Sequence, residues 1–163
     1  MIDTYLDIET SFEFRITVIG VYRQDKGFRQ LMGHKVNRTN LQSLLEGSAR
    51  IVTFNGSRFD LPVIRRKLRL DLRQTFESYD LMYSCWQRKL YGGLKKVEKV
   101  LGIPRRLPDV DGQEAMRLWY WYQRYGDRHA LRRLLEYNRE DVMNLVSLRK
   151  TLEKRDGNVK SGN

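Results

Sequence analysis

The sequence predicts an α/β fold in which helices flank a mixed five-stranded sheet. The first third of the chain is rich in β-branched and aromatic residues and is divided by the turn Asp25-Lys26-Gly27, which favours three antiparallel strands. From Thr39 onward the apolar residues mostly follow helical spacing, and the short apolar runs between the helices suit parallel strands. The predicted strands cover residues 3–8, 14–23, 28–36, 51–54 and 75–79.

Helices are predicted for most of the remaining chain. A short one around Leu41, Leu44 and Leu45 ends at Gly47. The others cover residues 61–70, 81–90, 94–101, 112–125 and 128–152. Residues 1–153 are predicted to form one domain. Residues 154–163 have almost no apolar side chains, so we expect a flexible tail there.

Composition and charge narrow the class of function. The 163 residues include one cysteine, Cys85, and neither a secretory signal pattern nor an apolar run long enough for a membrane span, so we expect a soluble cytoplasmic domain. The formal net charge of +11 favours a polyanionic partner such as nucleic acid. A basic surface that only maintains solubility explains the charge equally well.

Two acidic residues stand at the end of the first predicted strand. Because side chains alternate along a strand, Asp7 and Glu9 share one face and Ile8 points to the other. Two adjacent carboxylates repel each other, and they are tolerated either at a water-exposed strand end or around a hard cation such as Mg²⁺ or Mn²⁺. For an isolated Asp-x-Glu the water-exposed strand end is the better explanation.

Another acidic residue, Asp60, ends the segment Asn-Gly-Ser-Arg-Phe-Asp at residues 55–60, which follows the fourth predicted strand. Gly56 suits a sharp turn, and Asp60 falls at the start of the next helix. Taken alone, Asp60 is better explained as the helix N-cap than as a functional carboxylate, because Pro62 suits a first helical turn.

The last predicted helix carries Tyr137 and Asp141 on one face, since they are four residues apart. Both border the apolar stripe of the helix, and Asn138 falls within it. A carboxylate at the edge of a core-facing surface needs a partner. One of the many arginines could be that partner.

Together, the order and placement of these motifs resemble the three exonuclease motifs of the DEDD superfamily of 3'-5' exonucleases. The matching acidic positions are Asp7, Glu9, Asp60 and Asp141. One subclass has a tyrosine four residues before the last aspartate, and Tyr137 stands at that position. The chain is therefore similar to the tyrosine subclass, DEDDy.

Further segments resemble the YprB-type ribonuclease H-like domains over about residues 3–150. They are Gly93–Glu98 with Leu101–Ile103, Asp111–Ala115 and Tyr137–Asp141. The resemblance implies a ribonuclease H-like fold and a metal-dependent exonuclease that releases 5'-mononucleotides from the 3' end of DNA or RNA, most simply a single strand. It also implies two divalent ions, Mg²⁺ or Mn²⁺, bound by the four acidic residues, with Tyr137 orienting the attacking water.

Residues near the motifs are candidates for nucleic-acid contacts. Lys95 and Lys96 open a helix after a glycine turn, and we favour them over the basic cluster at residues 65–69 for binding the phosphate backbone. We expect two residues of the aromatic run 119–122 to face the core, and we do not assign the run to base stacking. The predicted nucleic-acid contacts are Thr10, Asn55, Phe59, Lys95 and Lys96.

Two other functions fit the same sequence. A binding module without catalysis would share the fold and charge, although no acidic position is lost here. A structure-selective endonuclease would share the fold and metals and would differ only in its access to a free end. The exonuclease remains the favoured hypothesis.

Overall fold

The computed structural model describes residues 1–160, with side chains described up to residue 157. The strands are β1 (Asp3–Thr10), β2 (Ile16–Arg23), β3 (Gly27–Met32), β4 (Arg50–Thr53) and β5 (Glu77–Asp80). The α-helices are α1 (Arg38–Leu45), α2 (Asp60–Leu68), α3 (Leu81–Gln87), α4 (Leu94–Leu101), α5 (Gly112–Tyr125) and α6 (Arg128–Lys160).

The five strands form one sheet in the order β3-β2-β1-β4-β5. The first three strands pair antiparallel, and β4 and β5 join the other edge of β1 in parallel. The predicted mixed five-stranded sheet is thus confirmed. All five strands differ from their predicted bounds by one to four residues. The largest difference is in β3, which stops at Met32 because Gly33 turns the chain with a φ of 56°. Strand β5 begins only at Glu77, after a helical turn at Leu72–Gln74.

Helix α6 is longer than the sequence suggested. It continues past Leu152 to Lys160, and Asp156 forms an ion pair with Arg88 of the segment after α3. The flexibility assigned to residues 154–163 stays a prediction, as does the domain boundary at residue 153, and residues 161–163 lie outside the described part of the chain. Within residues 1–160, no helix has both the length and the apolar character that crossing a membrane requires.

Helices cover both faces of the sheet because the strands alternate between two apolar sets. On one face, Leu6 and Ile8 of β1 and Ile51 of β4 pack against α1 and α2 in one buried cluster. On the other face, Val18 of β2 packs with α5 and α6, and Val52 of β4 packs with α3, α4 and α6. The alternate residues of β1 on this second face include Asp7 and are therefore directed towards α6.

A buried amide fixes α6 on that face. Asp7, Gly20 and Gln30 are neighbours across β1, β2 and β3. The side chain of Asn138, which has no exposed surface, donates from Nδ2 to the Asp7 backbone oxygen at 3.2 Å and to Asp7 Oδ2 at 3.0 Å. Its Oδ1 accepts a hydrogen bond of 2.9 Å from Gln30 Nε2. Asn138 lies in the apolar stripe as predicted, and its polar atoms form hydrogen bonds with β1 and β3 across the intervening strand β2.

Gly20 provides the space for this amide. A Cβ atom at Gly20 would lie 2.3 Å from Asn138 Oδ1 and 2.9 Å from a methyl carbon of Val142. Both distances are shorter than van der Waals contact, so any larger residue would push α6 away from the sheet.

We expect Gly20→Ala to lower the free energy of unfolding by about 1–3 kcal/mol, the usual range for overpacking a filled core. Urea unfolding followed by circular dichroism measures this difference. Gly112→Ala is the matched control, because a Cβ at Gly112 meets nothing within 4 Å. A Gly20→Ala protein as stable as the wild type would contradict the close approach of α6.

Candidate active site

Acidic side chains from three elements meet in one open pocket of about 440 Å³ beyond the end of β1. Asp7, Glu9 and Asp141 each direct one carboxylate oxygen to within 4.8 Å of the others. Asp60 and Tyr137 line the same pocket. The structure therefore brings together all four carboxylates that the sequence singled out, with the predicted tyrosine beside them.

Strand β1 presents two of these carboxylates by its alternation. Ile8 packs in the cluster under α1 and α2, and Asp7 and Glu9 point to the opposite face, as predicted. The pairing of β1 with β2 shifts by one residue between Glu9 and Thr10, and the extra residue, Thr17, belongs to β2, so β2 is the strand that bulges beside the end of β1. Glu9 is only 6% exposed and Asp7 is half-buried, so the pair is not a fully water-exposed strand end.

Asp60 has a different role from the helix cap that the sequence favoured. It is the first residue of α2, the capping position is Phe59, and no side chain caps the helix. Instead, Asp60 Oδ1 accepts a hydrogen bond of 3.0 Å from the backbone N–H of Ile8. The cap interpretation is therefore wrong, because the Asp60 side chain accepts from the backbone of β1 and no side chain caps α2.

The loop that carries Asp60 is held by a residue that the sequence analysis missed. Asp80, at the end of β5, is buried and accepts from the backbone N–H groups of Asn55 at 2.7 Å and Ser57 at 3.0 Å. Asn55 takes the left-handed φ of 59°, and Gly56 is needed because a Cβ there would lie 2.3 Å from Thr53 Oγ1. Asp80 also caps α3, and that local role was its only visible signal in the sequence.

Asp141 has an arginine partner, the alternative that the sequence left open. Arg105, in the segment between α4 and α5, pairs with Glu98 through two bonds of 2.7 Å. Its Nη1 lies 2.6 Å from Asp141 Oδ1 and 3.7 Å from Glu140 Oε1. The contact with Asp141 lacks hydrogen-bond alignment, so both buried atoms are left without a hydrogen-bond partner. A carboxylate has a second oxygen, so this contact leaves Asp141 able to bind another cation.

Tyr137 is buried one turn before Asp141 and lies between two cations. Lys95 Nζ is 5.5 Å and the Arg105 guanidinium 5.8 Å from the centre of its ring. Burial and the negative charges of Asp141 and the β1 carboxylates raise the pKa of the Tyr137 hydroxyl well above its usual value. The hydroxyl therefore stays protonated at neutral pH and can act as a hydrogen-bond donor, not as a base.

Burial is the main cause of raised pKa values for the four carboxyl groups. The pKa values of Asp7 and Glu9 lie well above the usual range, and mutual repulsion adds to the effect. The pKa is about 7 for Asp60 and about 6 for Asp141, whose shift Arg105 opposes. A hard divalent ion prefers oxygen ligands, and it is favoured further where the negative charge of buried carboxylates is not balanced by nearby cations. The Asp7, Glu9 and Asp141 group could thus hold a metal ion.

The predicted nucleic-acid residues separate into two groups. Thr10, Asn55 and Phe59 line the pocket. Lys95 does not reach into it: its ammonium contacts the backbone oxygens of Pro108 and Val110 as well as the Tyr137 ring. Lys96 is exposed on α4 and does not line the pocket either.

The alternative basic cluster, at residues 65–69 around the end of α2, lies closer to the pocket than the sequence suggested. Lys67 Nζ is 5.1 Å from the ring centre of Phe14, and Phe14 lines the pocket. The Arg66 guanidinium lies 6.0 Å from the same ring. Phe14 and Phe12, both on the β1–β2 turn, were not among the predicted nucleic-acid contacts. The sequence does not show where an aromatic residue of a turn lies in the folded protein.

We expect Asp7→Asn to stabilise the metal-free protein by about 1 kcal/mol at pH 8, because one pKa unit corresponds to about 1.4 kcal/mol. The pKa of Asp7 is raised by folding, so the wild type loses stability as the pH rises from the pKa of the unfolded chain towards that of the folded protein. The advantage of the variant should therefore grow from pH 5 to pH 8 in thermal melts with chelator. Asp109→Asn, an exposed partner of Arg133, is the control and should change little. A less stable Asp7→Asn protein at pH 8 would contradict the repulsion.

Comparison with solved structures confirms the predicted ribonuclease H-like fold. The family B DNA polymerase from the hyperthermophilic archaeon Pyrobaculum calidifontis aligns with 90% of this chain at a TM-score of 0.63 and 16% sequence identity. The aligned part is 24% of that polymerase chain. At this identity the likeness concerns the fold.

Sequence comparison identifies a similar bacterial protein. The uncharacterized protein YprB of Bacillus subtilis (strain 168) is 32% identical over 110 residues, and the match covers 60% of this chain and 26% of that protein. The chain thus spans about a quarter of the length of each of these two proteins. A family model for the RNase_H superfamily matches residues 4–153, nearly all of the described chain. The chain belongs to the RNase_H superfamily.

Proposed function

We propose that this domain is a metal-dependent 3'-5' exonuclease that removes 5'-mononucleotides from a single-stranded DNA or RNA end. The observation that carries the proposal is the convergence of Asp7, Glu9 and Asp141 in one pocket with Asp60 and Tyr137. Membership of the RNase_H superfamily and the resemblance of the motifs to the tyrosine subclass of DEDD exonucleases support it. A cytoplasmic setting is proposed with it, since Cys85 has no second cysteine for an internal disulfide.

The four carboxylates of the pocket are suited to bind metal ions, and a neighbouring side chain positions one of them. Asp7, Glu9 and Asp141 would bind one Mg²⁺ or Mn²⁺, and Asp7 with Asp60, directly or through water, a second. Two such ions, when bound, activate a water and stabilise charge on the leaving 3' oxygen. Asp7 is central to both sets, and its carboxylate is held by the hydrogen bond from Asn138.

Tyr137 is suited to orient the attacking water. Its hydroxyl stays protonated, because burial and the nearby carboxylates raise its pKa. Packing between the Lys95 ammonium and the Arg105 guanidinium fixes the ring, so little freedom remains to be lost when the hydroxyl meets a water or a phosphate.

Aromatic side chains at the pocket rim favour a chain end over an internal bond. Phe14 and Phe59 are each 38% exposed, and their ring centres are 6.4 Å apart. Exposed rings beside a metal-binding pocket can stack on an unpaired terminal base. The Arg66 and Lys67 cations beside Phe14 are placed to attract the adjoining phosphate.

Incubation of 5'-labelled single-stranded DNA and RNA with Mn²⁺, Mg²⁺ or chelator tests the proposal. We expect a ladder of products shortened from the 3' end that requires metal. Asp141→Asn should reduce the rate by more than about 100-fold, because even outer partners of metal ligands commonly contribute 10- to 100-fold. Glu136→Gln, an exposed acidic residue of the same helix, should leave the rate unchanged.

The same assay distinguishes the other candidate functions. Cleavage of a closed circular strand would identify an endonuclease. Binding of the labelled strands without any metal-dependent product would instead identify a non-catalytic binding module. Full activity of the Asp141→Asn protein would remove the acidic pocket from the reaction.

Tyr137→Phe should lower kcat by about 10- to 100-fold, the effect of misplacing a reacting group slightly, with KM changed less than about 2-fold. The reason is that the variant keeps the packed ring and loses only the hydroxyl. Single-turnover rates and strand affinity, measured separately, check this split. Equal rates for the two proteins would exclude Tyr137 from the mechanism.

A further inference from the structure

The outer face of α5 combines exposed aromatic and basic side chains. Tyr120, Trp121 and Tyr125 are 44%, 49% and 64% exposed. Arg117 and Arg124 are exposed on the same side, at helical spacings of three and four residues from these rings. We call these five residues the α5 stripe. Arg117 pairs with Glu114 at 3.2 Å at the start of the helix, and from Ala115 to Gly126 the sequence contains no acidic residue, so the positive charge of Arg124 at the far end is not balanced within the helix.

The stripe is more than the outward half of an amphipathic helix. The predicted division of the aromatic run is confirmed: Trp119 and Tyr122 pack in the cluster between α5, α6 and β2, and Tyr120 and Trp121 face outward. Core packing therefore accounts for the inward pair alone. Three large rings left in water cost solvation free energy that smaller polar residues would avoid, and such a patch commonly marks an interaction site.

The stripe is continuous with the acidic pocket. Met116 lines the pocket, and Tyr120 lies one turn further along the helix. Phe12, on the pocket rim, has its ring centre 6.5 Å from that of Tyr120. The rings continue from Tyr120 to Tyr125 at 6.4 Å, and from Tyr125 to Trp121 at 5.3 Å. An unbroken run of aromatic surface thus leads out of the pocket.

We propose that the α5 stripe binds the unpaired nucleotides on the 5' side of the strand end held in the pocket. The inference rests on the proposed function and deepens it by defining a substrate: a single strand long enough to reach the stripe. Exposed rings stack on bases of any sequence, and arginines between them contact phosphates. Base-paired nucleotides hide their faces, so a duplex cannot use the rings in this way.

The length of the stripe sets a length preference. From Met116 to Tyr125 the helix rises about 14 Å, which corresponds to about four stacked nucleotides. A trinucleotide held in the pocket does not reach Trp121 and Tyr125, whereas a 12-nucleotide strand covers the whole stripe.

The test compares KM and kcat on single strands of 3 and 12 nucleotides for wild type and the Trp121→Ala/Tyr125→Ala protein, at fixed salt. We expect the double variant to raise KM for the 12-mer by about 10-fold or more, since each lost stacking contact weakens binding by about 5-fold or more. The ratio of kcat/KM for the 12-mer to that for the trimer should fall accordingly. Tyr91→Ala removes a ring that is 60% exposed before α4, and is the control for loss of surface aromatic area.

Binding is measured separately from cleavage in the Asp141→Asn background, by anisotropy of a labelled 12-mer and by quenching of tryptophan fluorescence. We expect the 12-mer to quench Trp121 and the Trp121→Ala substitution to remove that signal. An unchanged KM for the 12-mer, or equal losses on both lengths, would overturn the inference. The first result would exclude the α5 stripe from strand binding, and the second would assign the loss to a general effect on the fold.

These outcomes separate the inference from the proposed function. A wild type that neither binds nor cleaves any strand contradicts both. A wild type that cleaves strands from the 3' end, with the double variant equal to it on the 12-mer, contradicts the stripe alone.

Discussion

The amide of Asn138 determines where α6 lies on the sheet, and the acidic pocket depends on that placement. Tyr137 precedes this residue directly, and Asp141 follows it by three positions, so both reach β1 only when the amide is seated between Asp7 and Gln30. The bare backbone of Gly20 makes the seat possible. The hydrogen bonds of Asn138, which is not itself one of the proposed metal ligands, thus set the distance between the β1 carboxylates and the Tyr137 and Asp141 side chains of α6.

The pocket concentrates charge that the rest of the fold must tolerate. Arg105 opposes the repulsion at Asp141, and it is itself fixed by Glu98, which is buried on α4. An ion pair of this kind is a weak source of stability, because burying its charges is unfavourable. Its value lies in orientation: it holds the Asp141 carboxylate in place until a stronger cation binds. Stability comes instead from the apolar clusters on the two faces of the sheet, and the cluster under α1 and α2 lies on the face opposite the carboxylates.

The sequence predicted the features of the site that depend on the periodicity of a single strand or helix. Strand alternation placed Asp7 and Glu9 on one face, and helical spacing placed Tyr137 with Asp141. It did not predict partners that only the folded chain brings together. Asp80 and Arg105 act on residues 25 and 36 positions away, and no local pattern reports such contacts. The preference for a helix cap at Asp60 was wrong for the same reason, since its donor lies 52 residues earlier.

The pocket exists because two neighbouring strands differ in length. Strand β1 continues to Thr10, but its pairing with β4 ends at Tyr5 and Val52. Beyond that point the N–H of Ile8 would face an empty place in the ladder, and Asp60 fills it. Unpaired strand edges are usually covered or blunted because they invite aggregation. Here the gap in the sheet is where the Asp60 side chain enters the pocket. If β4 were a few residues longer, it would pair with β1 at this point and close the site.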